Sequence, residues 1–283
     1  MTIGIVGLGL IGGSLAKAFK FSGDCKIYGY DTDEVAYRRA VLVDAVDARL
    51  SHENIRECDF LFIALYPAAT VRFLEEFAPL IGSGTVVIDC CGVKAEVCPR
   101  CFELAEENGF DFIGGHPMAG SQFSGFRHAR ADMFEGASMI LVPRHGEDIT
   151  LLERVKKCLK KAGFAHVTIT TAERHDELIA YTSQLAHVVS NAYVKSPRAQ
   201  AHKGFSAGSY RDLTRVAKLS ENMWTELFMD NRENLVREID NIIGALSEYR
   251  EAISDGDADE LCRLLREGRE CKERVDEEWR ELE

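Results

Sequence analysis

The spacing of apolar residues in this chain changes character once. Up to about residue 170, short β-branched or aromatic runs alternate with longer amphipathic stretches; beyond it no short run recurs, and apolar positions repeat at helical spacing. The runs predict strands at 2–6, 26–30, 60–64, 85–88, 110–113, 138–142 and 165–170. Between them the pattern predicts helices at 15–21, 67–80 with Pro67 suited to the first turn, and about 94–107. Alternation of this kind predicts an α/β fold, a doubly wound, Rossmann-like, mostly parallel sheet over residues 1–170. An all-α domain is expected over 171–283.

In that second half, 176–194 reads as one long helix. Trp224, Phe228, Asn231, Leu235, Ile239, Ile242 and Leu246 fall on one stripe of another. Asp257 and Glu260 have capping-box spacing ahead of a last helix carrying Leu261, Leu264, Leu265, Val275 and Trp279. So much apolar surface on a short helical half predicts a homodimer through the C-terminal helices.

Composition narrows the class. The 283 residues are 46% hydrophobic and 28% charged, as in a soluble globular protein. No apolar window suits a membrane span and the N-terminus enters a strand without a leader, so a cytoplasmic protein with no membrane partner is expected. A net charge of −12 argues against nucleic acid. Nine cysteines in such a chain are expected to be reduced. Cys98-Pro99-Arg100-Cys101 has knuckle spacing, but adjacent Cys90 and Cys91 would point apart, so no metal is expected.

The chemistry begins at Gly7-Leu8-Gly9-Leu10-Ile11-Gly12, a glycine loop with a strand before it and a helix after it, which suits a dinucleotide pyrophosphate. Asp31 ends the next strand about twenty residues past the glycines, where a carboxylate accepts both ribose hydroxyls of NAD and repels the extra phosphate of NADP. A turn or cap role for Asp31 is the alternative. The sheet edge that would hold the ligand is lined by Leu65-Tyr66-Pro67, by 89–94 with Gly92, and by Gly114-Gly115-His116-Pro117-Met118-Ala119-Gly120. The last reads as a flexible loop presenting His116 for proton chemistry.

Ser183, His187 and Asn191, spaced by four, form a polar stripe on an otherwise apolar helix. Between Lys195 and Lys218 six cations stand against the single acid Asp212, a surplus of five positive charges in an acidic protein. Arg211 and Arg215, expected near a helix start, offer forks for a small anionic substrate.

Taken together, these segments resemble the prephenate and arogenate dehydrogenase family over nearly the full length. The likeness rests on 7–14, Asp89-Cys90-Cys91-Gly92-Val93-Lys94, the His116 segment through Ser121, Ser183-Gln184-Leu185-Ala186-His187 and Arg211-Asp212-Leu213-Thr214-Arg215. It implies NAD-dependent oxidative decarboxylation of prephenate to 4-hydroxyphenylpyruvate, or of arogenate to tyrosine, in an all-helical C-terminal dimer. His116 would then be the base, with His187, Arg215, Ser183, Ser121 and Arg211 around the substrate, and Tyr66 and Gly92 beside the cofactor. Two departures stand out. Gly92 replaces a serine that supports the histidine in many members, leaving backbone, water or Ser121 to orient His116, and Gln122-Phe123 replaces an acid and a lysine. The competing readings are a β-hydroxyacid-type dehydrogenase, with Lys195 as the nearest candidate base, and an NAD-sensing regulator.

Overall fold

Residues 1–121, 123–145 and 148–280 are described by the computed structural model, without the side chains of 278–280. Gln122 and the Trp279 side chain therefore lie outside the described residues. The first compact unit spans Met1–Arg232 and the second Glu233–Glu283.

In the first unit the chain runs β1 (Thr2–Val6), α1 (Leu10–Phe21), β2 (Lys26–Tyr30), α2 (Glu34–Leu42), β3 (Ala48–Arg49), β4 (Phe60–Ile63), α3 (Pro67–Phe77), β5 (Val86–Asp89), α4 (Cys98–Asn108), β6 (Asp111–Pro117), β7 (Ser138–Pro143), α5 (Ile149–Lys161) and β8 (His166–Ile169). The eight strands form one sheet in the order β3-β2-β1-β4-β5-β6-β7-β8. Every pairing is parallel except β6 with β7. The four residues of β4 are all buried, as are those of β5, because helices cover both faces of a parallel sheet. Two apolar clusters result. One holds Ile3, Ile5, Leu15, Phe19, Phe62 and Ile88; the other holds Val6, Leu61, Ile63, Leu74, Val87 and Leu104.

Beyond the sheet come α6 (Ala172–Ile179), α7 (Ala186–Tyr193), α8 (Gly208–Thr214) and α9 (Glu221–Asp230). The helix expected over 176–194 starts earlier and is opened at Ala180–Leu185 into a wider π turn, a distortion that often marks a functional site. The stripe from Trp224 to Leu246 is likewise two helices rather than one. Asn231 leaves helical geometry (φ −116°, ψ 26°), and its side chain donates to the Asp176 carbonyl and to Gln184 Oε1, each at 2.8 Å.

The second unit consists of most of α10 (Arg232–Asp255) together with α11 (Ala258–Arg280). Asp257 caps α11 by accepting from the Glu260 amide at 2.9 Å, as the spacing predicts. Val236, Ile243, Leu246, Ile253 and Leu265 stay exposed. No helix among the described residues is long and apolar enough to cross a membrane.

Candidate active site

Strand β1 delivers the chain to Gly7, whose φ of +86° only glycine adopts without strain. A Cβ on Gly12 would stand 1.8 Å from the Gly7 carbonyl oxygen, so the loop closes this tightly because both positions lack side chains. A Cβ on Gly9 would meet nothing within 4 Å, leaving the start of α1 open to a ligand. The first amides of a helix have no partner within it and attract anions, so this loop fits a pyrophosphate.

Asp31 ties that loop to β2. Its Oδ2 accepts from the Leu8 amide at 2.6 Å and its Oδ1 from the Asp33 amide at 2.7 Å, and each oxygen keeps a lone-pair direction for a ribose hydroxyl. The turn role is thus real, and it leaves a cofactor role intact. Tyr66 stands exposed just before α3.

The His116 segment is a strand, not the flexible loop its glycines suggested. β6 runs past the carboxyl end of β5 and is held there by β7, with His116 opposite Ile140. The glycines serve close packing: a Cβ on Gly115 would lie 2.4 Å from the Asp89 carbonyl oxygen. The Gly115 amide donates to Asp89 Oδ1 at 3.0 Å, fixing the backbone beside His116.

The imidazole is fixed from the other side by a residue the sequence reading did not single out. His116 Nδ1 lies 2.9 Å from His175 Nε2, and His175 Nδ1 lies 2.6 Å from Asp176 Oδ1. A carboxylate can only accept, so neutral His175 carries its proton on Nδ1 and presents a bare Nε2. His116 must therefore donate from Nδ1, which leaves a free lone pair on its own Nε2. Burial, with His175 and the Lys94 charge added, holds the His116 pKa well below the usual histidine value. The ring is neutral, with its basic nitrogen fixed.

The Nε2 side faces Gly92, where a Cβ would stand 3.9 Å from Nε2 and 3.4 Å from Leu227. A hydroxyl at position 92 would thus approach the reacting nitrogen. Orientation of the ring comes through Nδ1 and needs no serine. It does not come from Ser121 either, whose hydroxyl is engaged with the Phe123 backbone.

A buried ion pair underlies both supports. Lys94 and Asp89 are fully buried and hydrogen-bonded to each other. Burial opposes the Lys94 charge, but the Asp89 carboxylate overrides it and keeps the ammonium above its ordinary range. The Lys94 and Ala95 amides donate to the two Asp176 oxygens, each at 2.8 Å. Those amides sit ahead of α4, which starts at Cys98 rather than near Lys94. The same helix and the turn before it hold Cys91, Cys98 and Cys101, whose thiols burial keeps protonated. No set of metal-ligating side chains is assembled among the described residues.

The substrate candidates lie on α6 through α9. Ser183, half-buried, falls in the π turn. His187 donates from Nδ1 to the Val216 carbonyl at 3.0 Å and packs on Trp224, with ring centroids 3.8 Å apart. Burial lowers its pKa against the pull of that carbonyl, and the Arg215 charge lowers it further, so His187 is neutral. Asn191 donates to the Ala217 carbonyl at 3.4 Å, so His187 and Asn191 of the predicted stripe face one segment. Arg211 is the fourth residue of α8 and Arg215 opens the short turn immediately after it, both exposed. Lys195 is exposed beyond the end of α7.

His175, Asp176, Asp89 and Lys94 are the functional candidates missed as such. A His-Asp pair at a helix start, and an acid and a lysine five apart after an apolar strand, were the available signals.

Both halves of the chain are similar to known proteins. The family model "Prephenate dehydrogenase, nucleotide-binding domain" matches residues 15–168, and "Prephenate dehydrogenase, dimerization domain" matches 171–267. Prephenate dehydrogenase of Bacillus subtilis (strain 168) is 31% identical over 96% of this chain and 75% of its own length. The crystal structure of prephenate dehydrogenase from A. aeolicus in complex with hydroxyphenyl propionate and NAD+ is 27% identical, with a TM-score of 0.85 over 97% of this chain and 98% of that one. Synechocystis arogenate dehydrogenase is 25% identical, with a TM-score of 0.81 over 97% and 100% of the two chains. By sequence along both halves and by fold, the chain belongs to the prephenate dehydrogenase family.

Proposed function

We propose that this protein oxidises prephenate with NAD, releasing carbon dioxide and 4-hydroxyphenylpyruvate in tyrosine biosynthesis. The carrying observation is the lone pair on His116 Nε2, fixed by His175 and Asp176 at the sheet edge that also bears the glycine loop. The loop from Gly7 to Gly12 would hold the pyrophosphate and Asp31 the ribose, with Gly92 beside the reacting ring. When bound, NAD supplies the acceptor for the hydride that leaves the ring carbon bearing the hydroxyl.

His116 Nε2 accepts a hydrogen bond from that ring hydroxyl and takes its proton as the carbon is oxidised. Loss of the ring carboxylate as carbon dioxide then yields the phenolate, and the proton returns to it, so no net proton is released. Aromatisation drives the step, and the residues chiefly supply alignment. Arg215 holds a substrate carboxylate through its fork. Neutral His187, its Nδ1 committed to Val216, offers an acceptor at Nε2. Ser183 and Arg211 complete the polar surround.

A homodimer through the C-terminal helices fits the exposed apolar residues of α10 and the name of the second family model. A monomer by light scattering across a wide concentration range would refute it. A cytoplasmic location fits such a biosynthetic enzyme. The function is tested by following NADH formation with prephenate and arogenate in turn. Reduction with prephenate is expected; reduction with arogenate alone would reassign the substrate, and none with either would overturn the reading.

A further inference from the structure

We infer that His116 does not keep the proton it removes: His175, backed by Asp176, is the proton's resting place during turnover. This rests on the function proposed above.

The geometry is a continuous donor-acceptor line. His116 Nδ1 and His175 Nε2 are 2.9 Å apart, and His175 Nδ1 is 2.6 Å from a carboxylate oxygen. His175 and Asp176 are both buried. As the substrate O–H bond breaks and Nε2–H forms on His116, the Nδ1–H bond of His116 breaks and Nε2–H forms on His175. His116 is then neutral again, and the charge sits on His175 in contact with the Asp176 carboxylate. The phenolate formed by decarboxylation recovers the proton by the same two transfers in reverse, so atoms and charge balance.

The surroundings favour this direction. A charge left on His116 would be half-buried, with no carboxylate in contact among the described residues and with the Lys94 ammonium acting against it. A charge on His175 touches Asp176, whose two oxygens are also held by the Lys94 and Ala95 amides. Lys94 itself is hydrogen-bonded to Asp89, so the pair adds little net charge. Asp230 also senses Asp176; burial, with Glu226 and Glu96 beside it, raises its carboxyl to about 6, so it is neutral in mildly acidic solution. Buried polar networks of this kind act as units.

A purely orienting role for His175 is separable from this one by His175→Gln. The glutamine carbonyl can accept from His116 Nδ1 and keep the tautomer, but it cannot take the proton. We expect kcat to fall about ten- to a hundred-fold, a large part of a general-base effect. The KM for each substrate should change less than about two-fold, with thermal unfolding and NAD binding as checks on folding. The acid limb of its pH profile should also move, because the group that receives the proton has been removed. A kcat within about two-fold of wild type and an unmoved limb would overturn the inference while leaving the function standing.

A measurement on the unaltered enzyme guards against a misfolded variant. In 15N-histidine-labelled wild-type protein with NAD bound, a proton taken up by the pair should be found on His175 Nε2, with His116 singly protonated. Charging of His116 first would overturn the inference. An enzyme inactive on prephenate and arogenate would instead break the function, whatever the spectra show.

Discussion

His116, the proposed base, and Arg215, the proposed anion holder, are supported by the chain in opposite ways. His116 is in a strand, its backbone fixed through Gly115 to Asp89 and its ring fixed through His175 to Asp176, with a buried ion pair beneath both. Arg215 lies on a short turn between α8 and α9, exposed to solvent. The difference follows from the work each would do. Proton transfer needs a nitrogen placed to a fraction of an ångström and a controlled charge state, which only buried, fully bonded groups provide. Attracting an anion needs a charge that stays hydrated until the ligand arrives, and an exposed guanidinium provides that at little cost to folding. Damage to the first region should therefore appear in the chemical step or in stability, and damage to the second in binding.

The sharpest break is His116→Asn, for which turnover should fall by roughly two to four orders of magnitude, the scale of a general base, with NAD affinity little changed. Steady-state kinetics with a cofactor titration reads both, and near-normal turnover would remove His116 from the chemistry. Next comes Lys94→Met, which strands the Asp89 carboxylate in the interior. It should destabilise the protein by about 3–5 kcal/mol, visible as a drop of many degrees in thermal unfolding. A transition unchanged from wild type would mean that the buried pair is not a support.

Arg215→Ala should raise the substrate KM by about ten- to a hundred-fold while kcat falls much less. An equal fall in both kcat and kcat/KM would place Arg215 with the chemistry and erase the contrast. The smallest effect is expected at Asp230, at the end of α9. Its folded pKa of about 6 lies above the usual aspartate value, chiefly through burial and then through Glu226, Glu96 and Asp176. A raised carboxyl favours the folded state only while protonated, so that stability is present in acid and lost as pH rises through about 6. Asp230→Asn should therefore raise the melting temperature by roughly 2 °C near neutral pH, with the gain vanishing in acid. A gain independent of pH would contradict the sign.

Much of the fold was legible because the physics that sets it is local or periodic. Short apolar runs became the parallel strands, and the glycine spacing around Gly7 and Gly12 became a turn tight enough to exclude side chains. Local signals failed where a distant partner decided the outcome. Gly114 and Gly115 read as a loop because glycine is rare in strands, yet β7 pairs with them and the crowding against Asp89 requires glycine. The stripe from Trp224 to Leu246 read as one helix because its period never breaks. The break at Asn231 arises from hydrogen bonds to Asp176 and Gln184, far away in sequence.

The same division holds at the site. Residue types at short, fixed spacings suffice for the dinucleotide-type fold, the presence of His116 on its carboxyl edge, the basic segment and the likeness to the family. What holds the His116 ring came from long-range packing alone. His175 is 59 residues away in the chain, and no periodicity links it to β6. Gly92 read as a missing support because the family serine was the one partner the sequence could suggest. Folding supplies another partner at the other ring nitrogen, and the tautomer of His116 follows from Asp176, a carboxylate that can only accept.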